Sequence, residues 1–499
     1  MYLRTLFGYL RSSDAEREKR VTEDAIKPCQ DLEMQQPKIE EKERLWLQWL
    51  SALSSSFAMI SCGSHFGWTS PALPHLTGPD SEFSVTVYQG SWIASIYILG
   101  TILGSLVSPP MVNRIGRKRA FLAFILPQLA GWAMIVPARS YQVLYGARLI
   151  AGLGHGGIYN VAVIYLAEIA DKRVRGAFGT LLKTSTNLGS LFSATMGAYL
   201  SYEKLNLVSL WLPLVFLCTF VFMPESPYFH LMRGREDRAI ETMLRLRRLT
   251  KPESVRRDLE AMRLTVAESR HARGGLWELV TKPSNRRSLW ILLSLKVTQQ
   301  LSGQMAIIAY TQEIFGHSGS RLAPEHAAIV LGFAQLAAGL LVANLVDRMG
   351  RRLLIICSGC VAAAALAVVG TFFYAREELR VDVSQITWIP IVALITYEIV
   401  VALGIGTVPY VILGEIFPTN VKSEAVATAI IIGSLFAFVV GLGFQALNSV
   451  AGIHTTFWFF SVCCCSGSVW VYLITPETKG MSLEEVQELF NPQKPRNNG

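Results

Sequence analysis

Apolar stretches of about 17 to 25 residues recur along this chain from Trp46 onward, each long enough to cross the ~30 Å of hydrocarbon in a bilayer as a helix. They fall at 46–68, 89–112, 119–138, 143–167, 178–200, 207–223, 289–315, 326–345, 353–374, 388–412, 424–445 and 455–474. Twelve such spans take about 240 residues, which nearly exhausts the 51% of 499 residues that are hydrophobic. A soluble catalytic domain of ordinary size has no room. The 17% of charged residues is below the ~25% of a soluble domain and agrees. The expected fold class is an all-α integral membrane protein. Its net charge of +9 is read as basic cytoplasmic loops, with no nucleic acid among its partners.

Residues 1–44 are polar and lack an apolar stretch behind a basic start, so no cleaved signal is expected and the first span directs insertion. Of the 46 Lys and Arg residues, only Arg139, Lys204, Arg321, Arg376 and Arg380 fall in the loops of one side. Arg148, Lys183 and Lys296 lie inside spans, and all the others lie on the opposite side. That bias places both termini in the cytosol. The outer loops hold no cysteine and the chain has no Asn-x-Ser/Thr sequon, so neither disulfides nor N-glycans are expected there. Cys357, Cys360 and Cys463 to Cys465 lie in spans as small packing residues.

About 65 residues separate spans 6 and 7, dividing the chain into a tail (1–44), a first half (45–223), a linker (224–288), a second half (289–475) and a tail (476–499). In the linker, Ser226-Pro227 reads as a cap ahead of a first-turn proline, and 235–249 and 253–268 show amphipathic helical spacing. Ser482 to Glu485 reads as a capping box.

The two halves repeat one another in their loops. Asn113-Arg-Ile-Gly-Arg-Lys118 follows span 2, and Asp347-Arg-Met-Gly-Arg-Arg352 follows span 8. Glu168 and Arg175 after span 4 are matched by Glu415 and Lys422 after span 10, at the same spacing. Pro224-Glu225-Ser-Pro after span 6 is matched by Pro476-Glu477-Thr-Lys after span 12. A duplicated six-span unit with pseudo-two-fold symmetry is a transporter architecture, with substrate bound near mid-membrane between the halves. The repeated charges predict networks at the cytoplasmic helix ends: Glu168 with Arg114, Arg117 or Arg175, and Glu415 with Arg348, Arg351 or Lys422. Gly116, Gly350, Asn113, Asp347, Glu225 and Glu477 complete the set. Either these pairs bias a conformational equilibrium or they anchor the helices statically.

At these residues the sequence resembles the sugar porter family of the major facilitator superfamily, which includes facilitative glucose and insect trehalose transporters. The likeness covers 45–490 and is carried by Asn113 to Lys118, Arg148-x3-Gly152, Glu168 to Gly176, Pro224 to Pro227, Gln299-Gln-Leu-Ser-Gly303, Asp347 to Arg352, Gly414 to Pro418 and Pro476 to Gly480. Gly67 to Pro74 resembles the first external junction of trehalose-type members. The resemblance implies the major facilitator fold, alternating access, and a sugar pocket of amides and aromatics.

Gln299 and Gln300 stand at the family's two span-7 glutamines, and Gln335 stands where span 8 commonly supplies an asparagine. Tyr310 keeps the second of two closing tyrosines, while Ala309 replaces the first. Met305 replaces a sugar-binding asparagine, and Lys183 aligns with a glutamine of span 5. Gly406 to Tyr410 keeps an aromatic and one helix break in span 10, and Gly433-Ser434 replaces an Asn-Trp pair. Each lost amide leaves a hydroxyl unpaired at roughly 1–3 kcal/mol, which points to a working transporter with a shifted substrate: a larger sugar, a polyol or a less polar solute.

Charges inside spans default to functional candidates. Glu398 and Lys296 are candidates for a neutralising pair, with substrate or proton contact by Glu398 and packing as the alternatives; Lys183 either faces substrate or snorkels. Thr69 replaces the span-1 aspartate of proton-coupled relatives, favouring facilitated diffusion, with Glu398 leaving symport open. His65 and His155 read as packing or hydrogen-bonding residues. The expected activity is cell-membrane transport of a hexose, a trehalose-like disaccharide or a polyol, the alternatives being a proton-coupled symporter and a non-transporting sugar sensor. No catalytic constellation appears outside the spans, so no enzyme, cofactor or metal is expected. The expected partners are a small-molecule solute and the lipid bilayer, with no obligate protein partner evident.

Overall fold

The computed structural model describes residues 44–475 except 80, 82, 172, 272–275 and 418–420. The first half comprises α1 (Trp46–Gly67), α2 (Thr69–Thr77), α3 (Val87–Ile115), α4 (Arg117–Ile135), α5 (Tyr141–Ile169), α6 (Arg175–Tyr199) and α7 (Tyr202–Phe220). The linker carries α8 (Pro227–Met232), α9 (Glu236–Arg247), α10 (Arg256–His271) and α11 (Leu276–Thr281). The second half comprises α12 (Pro283–Leu301), α13 (Gln304–Ala309), α14 (Thr311–Ser318), α15 (Pro324–Met349), α16 (Arg351–Glu377), α17 (Ile389–Leu403), α18 (Val408–Ile416) and α19 (Lys422–Ile474).

Among the described residues, seven helical stretches are long and apolar enough to cross a membrane. The last of these, in α19, is two helices joined where Gly452 leaves helical geometry at φ 80° and ψ 158°. The more polar α1, α4, α6 and α12 fill the remaining predicted span positions.

Local chemistry sets the helix ends. Thr86 and Gln89 form a reciprocal capping box at the start of α3, with Thr86 Oγ1 accepting from the Gln89 N–H at 3.2 Å and Gln89 Oε1 accepting from the Thr86 N–H at 3.0 Å. The expected cap at Ser226 does not form. The Ser226 hydroxyl is held on the Glu168 carboxylate, to which it donates, and α8 starts on Pro227 without a side-chain cap. Two predicted spans prove to be broken. Span 7 divides at Ser302-Gly303, where Gly303 has φ +85°, and again at Tyr310. Span 10 divides at 404–407, between α17 and α18.

Close approach holds the first half together. A β-carbon on Gly152 would lie 2.1 Å from the Tyr97 carbonyl oxygen, and one on Gly104 would lie 2.0 Å from that of Leu153, so α3 and α5 touch backbone to backbone. The halves meet along two seams. In one, Leu191 and Asn187 of α6 pack on Gly332 and Gly339 of α15; in the other, Ser95 of α3 packs on Gly441 of α19, beside Trp92 and Phe438 at 5.9 Å.

Candidate functional site

At the linker end of the bundle the first half builds one connected charge cluster. Gly116 turns the chain at φ +97° between α3 and α4. The Glu225 carboxylate then accepts three backbone N–H groups through Oε1, from Arg117 at 2.9 Å, Lys118 at 3.0 Å and Ser226 at 2.9 Å. A carboxylate there also faces the positive end of α4. Arg117 grips Glu168 with two parallel bonds, Nε to Oε2 at 2.8 Å and Nη2 to Oε1 at 2.7 Å, the bidentate geometry that only a guanidinium supplies.

Of the three partners predicted for Glu168, the structure brings Arg117 alone into contact. Arg114 is exposed and offers its carbonyl, with that of Asn113, to Arg233. Arg175 is exposed and makes no ion pair among the described residues.

The second half repeats the geometry where it is described. Gly350 turns at φ +86° between α15 and α16. Lys118 donates through Nζ to the Val221 carbonyl at 2.6 Å, and Arg352 donates to the carbonyl of Tyr472 while stacking on its ring at 4.5 Å. In each half the sixth residue of the motif is thus tied to the end of that half's last span. Arg351 opens α16 and is half-buried. The side chains of Asp347, Arg348, Glu415 and Lys422, and all of Glu477, lie outside the described residues.

Midway along the bundle the breaks in spans 7 and 10 face each other. Gln299 donates to the Gly406 carbonyl at 2.7 Å, occupying an acceptor that the break exposes. Tyr397 does the same for the other break, donating to the Ser302 carbonyl at 2.9 Å. Gln300 lies one turn from Lys296, and both point at Gly433: a β-carbon there would be 3.6 Å from Lys296 Cδ and 3.8 Å from Gln300 Nε2. Met305 is half-buried on α13.

Glu398 and Lys296 do not pair. The Lys296 ammonium lies 3.2 Å from the centre of the Tyr410 ring and donates to Gln299 Oε1 at 3.0 Å. Glu398 is fully buried, and its Oε2 accepts from Gln304 at 3.2 Å and Gln335 at 3.5 Å, while Oε1 has no hydrogen-bond partner among the described residues. Each charge is closer to neutral dipoles than to the other. Glu398 and Gln335 also line a small cavity of about 20 Å³ with Gly67 and Ser70 of the first half, Ser190 and Ala194 of α6, and Thr311. Lys183 is exposed on α6, one and two turns from Asn187 and Leu191, which pack on Gly339 and Gly332 of the second half.

At the far end the halves touch. Ser70 Oγ accepts the Gln312 N–H at 3.3 Å, and Leu73 joins an apolar cluster of the second half that includes Tyr310 and Phe444. Tyr310 stacks on Phe444 at 4.8 Å and donates to the Gly441 carbonyl at 3.3 Å. Toward the linker end, by contrast, the described residues of the two halves bury separate apolar clusters.

Two residues have contacts that the motifs do not give. Gln304 is nearer to Glu398 than any residue the sequence nominates, and its position next to the helix-breaking Gly303 was the available signal. Arg148 is 1% exposed, stacks on Tyr97 at 4.4 Å, and donates to the carbonyls of Ile93 at 3.1 Å and His65. It acts as the strut joining α1, α3 and α5. His65 packs on Trp132 at 3.9 Å and His155 on Tyr97 at 5.5 Å.

Residues 44–490 match the family described as Sugar (and other) transporter. The chain is 32% identical over 450 residues to the facilitated trehalose transporter Tret1 of Apis mellifera ligustica, covering 90% of this chain and 89% of that one. It is also 32% identical over 445 residues to Tret1 of Aedes aegypti, covering 89% of this chain but only 55% of that relative's length. In fold it matches the partially occluded, inward-open xylose transporter XylE of E. coli, with a TM-score of 0.72 at 17% identity over 87% of this chain and 99% of that one. The proton:xylose symporter XylE bound to 6-bromo-6-deoxy-D-glucose matches with a TM-score of 0.67 at 18% identity, over 89% and 98%. The described residues are all-helical, and at these identities the two structures establish a shared fold. The protein is therefore a multi-pass membrane protein that shares the fold of XylE and belongs to the Sugar (and other) transporter family, a family of transporters and not of enzymes.

Proposed function

We propose that this protein is a cell-membrane uniporter that carries a sugar or related polyhydroxyl solute down its gradient by alternating access, with both termini in the cytosol. The observation that carries the reading is the set of amides and aromatics gathered where the two broken spans meet the first half: Gln299, Gln300, Gln304, Gln335 and Tyr410. Side-chain amides both donate and accept, which matches hydroxyl groups, and breaks in spans place backbone groups beside a mid-membrane site. Contact between the halves at the Tyr310 end, with separate apolar clusters at the linker end, supports a pocket that opens toward the linker. Trehalose remains a candidate solute through the relatives named above, hexoses and polyols through the amide set.

The test is uptake of radiolabelled hexoses, disaccharides and polyols into liposomes holding the purified protein, with and without a pH gradient. Gradient-independent uptake of at least one of them is expected; no uptake across the panel defeats the proposal. A second reading, proton symport, draws support from Glu398, whose unpartnered Oε1 is buried at the edge of a cavity between the halves. A pH-gradient requirement abolished by Glu398→Gln would favour it over uniport.

A further inference from the structure

The predicted pocket takes one lysine from each half, Lys183 and Lys296, and among the described residues neither has a carboxylate within ion-pair distance. Lys296 is 2% exposed, so its charge is held away from water with one amide oxygen and one aromatic face for company. Those contacts orient the ammonium without neutralising it, and a buried unpaired charge is destabilising by several kcal/mol. Lys183 reaches the same region from α6. Its neighbours one and two turns further along, Asn187 and Leu191, pack against Gly339 and Gly332 of the second half, so this face of α6 looks across the space between the halves. Lys183 itself is exposed on that face. Tyr410, whose ring lies under the Lys296 ammonium, is 48% exposed.

Two like charges turned toward one open space repel unless something negative lies between them. Glu398, the acid of the predicted pocket, forms no ion pair with either lysine and accepts instead from Gln304 and Gln335. One carboxylate against two ammonium groups still leaves a surplus positive charge. The glycine at 433 adds a second, steric observation, because the absent side chain leaves room in front of Lys296.

We infer that the solute of this pocket is a polyhydroxyl acid, a sugar-like molecule carrying one carboxylate, held with its anion between Lys183 and Lys296 and its hydroxyls on the glutamines. The inference rests on the transporter reading above and narrows its substrate class. A carboxylate bridging two ammonium groups makes charge-assisted bonds about twice as strong as neutral ones. Discrimination against the uncharged sugar of the same shape is then about tenfold to a hundredfold.

The experiment compares uptake of D-glucuronate, D-gluconate, D-glucose and trehalose into liposomes holding the full chain, with a potential-sensitive dye reporting net charge movement. The expected result is uptake of an acid at least about tenfold faster than D-glucose, with negative charge carried inward. The preference should be lost in Lys183→Gln and Lys296→Gln and partly kept in Lys296→Arg. Lys183→Gln alters a side chain in open space, so it reads out even where Lys296→Gln fails to fold. Uptake of glucose or trehalose with no uptake of either acid overturns the inference and leaves the transporter reading standing. If nothing is carried, the transporter reading fails, and thermal stabilisation of the protein by millimolar D-glucuronate decides the inference: stabilisation absent from Lys183→Gln supports it, and no stabilisation overturns it.

Discussion

The Glu225 carboxylate stands where residue 116 would carry a side chain: a β-carbon built on Gly116 lies 2.4 Å from Glu225 Oε2. The same glycine holds φ +97° and ψ 170°, a conformation essentially reserved to glycine that strains other residues by about 1–3 kcal/mol. Gly116→Ala is thus expected to lower thermal stability by at least that amount, because it also displaces the acceptor of three backbone N–H groups. The midpoint of a thermal melt in detergent measures it, and an unchanged midpoint would show that neither constraint operates.

Arg117 and Glu168 are 6% and 15% exposed at their side chains, so removing either one strands the other. Arg117→Ala or Glu168→Ala is predicted to destabilise the protein by about 3–5 kcal/mol. The double variant should be less damaged than the sum of the two. Arg117→Lys should behave more like alanine than like wild type, since an ammonium cannot reproduce two parallel bonds. A double-mutant cycle read by thermal melts and by initial uptake rates tests all three statements.

Gln299 holds both the Gly406 carbonyl and the Lys296 ammonium. Gln299→Ala leaves two buried polar groups short of a partner, at about 1–3 kcal/mol each. The expected signature is a raised KM for the transported solute together with a lowered melting midpoint. A variant with unchanged KM would remove Gln299 from the pocket.

Arg148 spans two carbonyls, those of Ile93 and His65, while lying flat on Tyr97. A lysine keeps the charge but cannot reach both acceptors or present a planar face. Arg148→Lys is expected to lose about 1–3 kcal/mol of stability, and a melt identical to wild type would contradict the strut.

The helix inventory and the paired motifs were readable in the sequence because both are local. Span length is set by bilayer thickness, and residues such as Gly116 and Arg117 sit within one turn of each other. Glu168, 51 positions away, was also foreseeable as a partner of Arg117, since both belong to helix ends on one side. The pocket was less legible. Lys296 and Tyr410 come from different spans, and nothing in either neighbourhood says that the ammonium will choose a ring over the Glu398 carboxylate. That choice follows from where the two breaks turn the chain, which depends on Gly303 packing against Phe460 and on Gln299 gripping Gly406. The cap expected at Ser226 failed for a related reason: Glu168, remote in sequence, fixes the hydroxyl in place.

The single non-helical residue at Gly452 leaves the final two spans with no slack between them. The arm before it lies on the first half through Gly441 and Ser95. The arm after it lies on α16, where Trp458 crosses Gly370 and Ser468 crosses Gly359, and on α12 through Thr298 and Gly467. Joined through one residue, the two arms connect the seam between the halves directly to the packing around α12, the helix that carries Lys296.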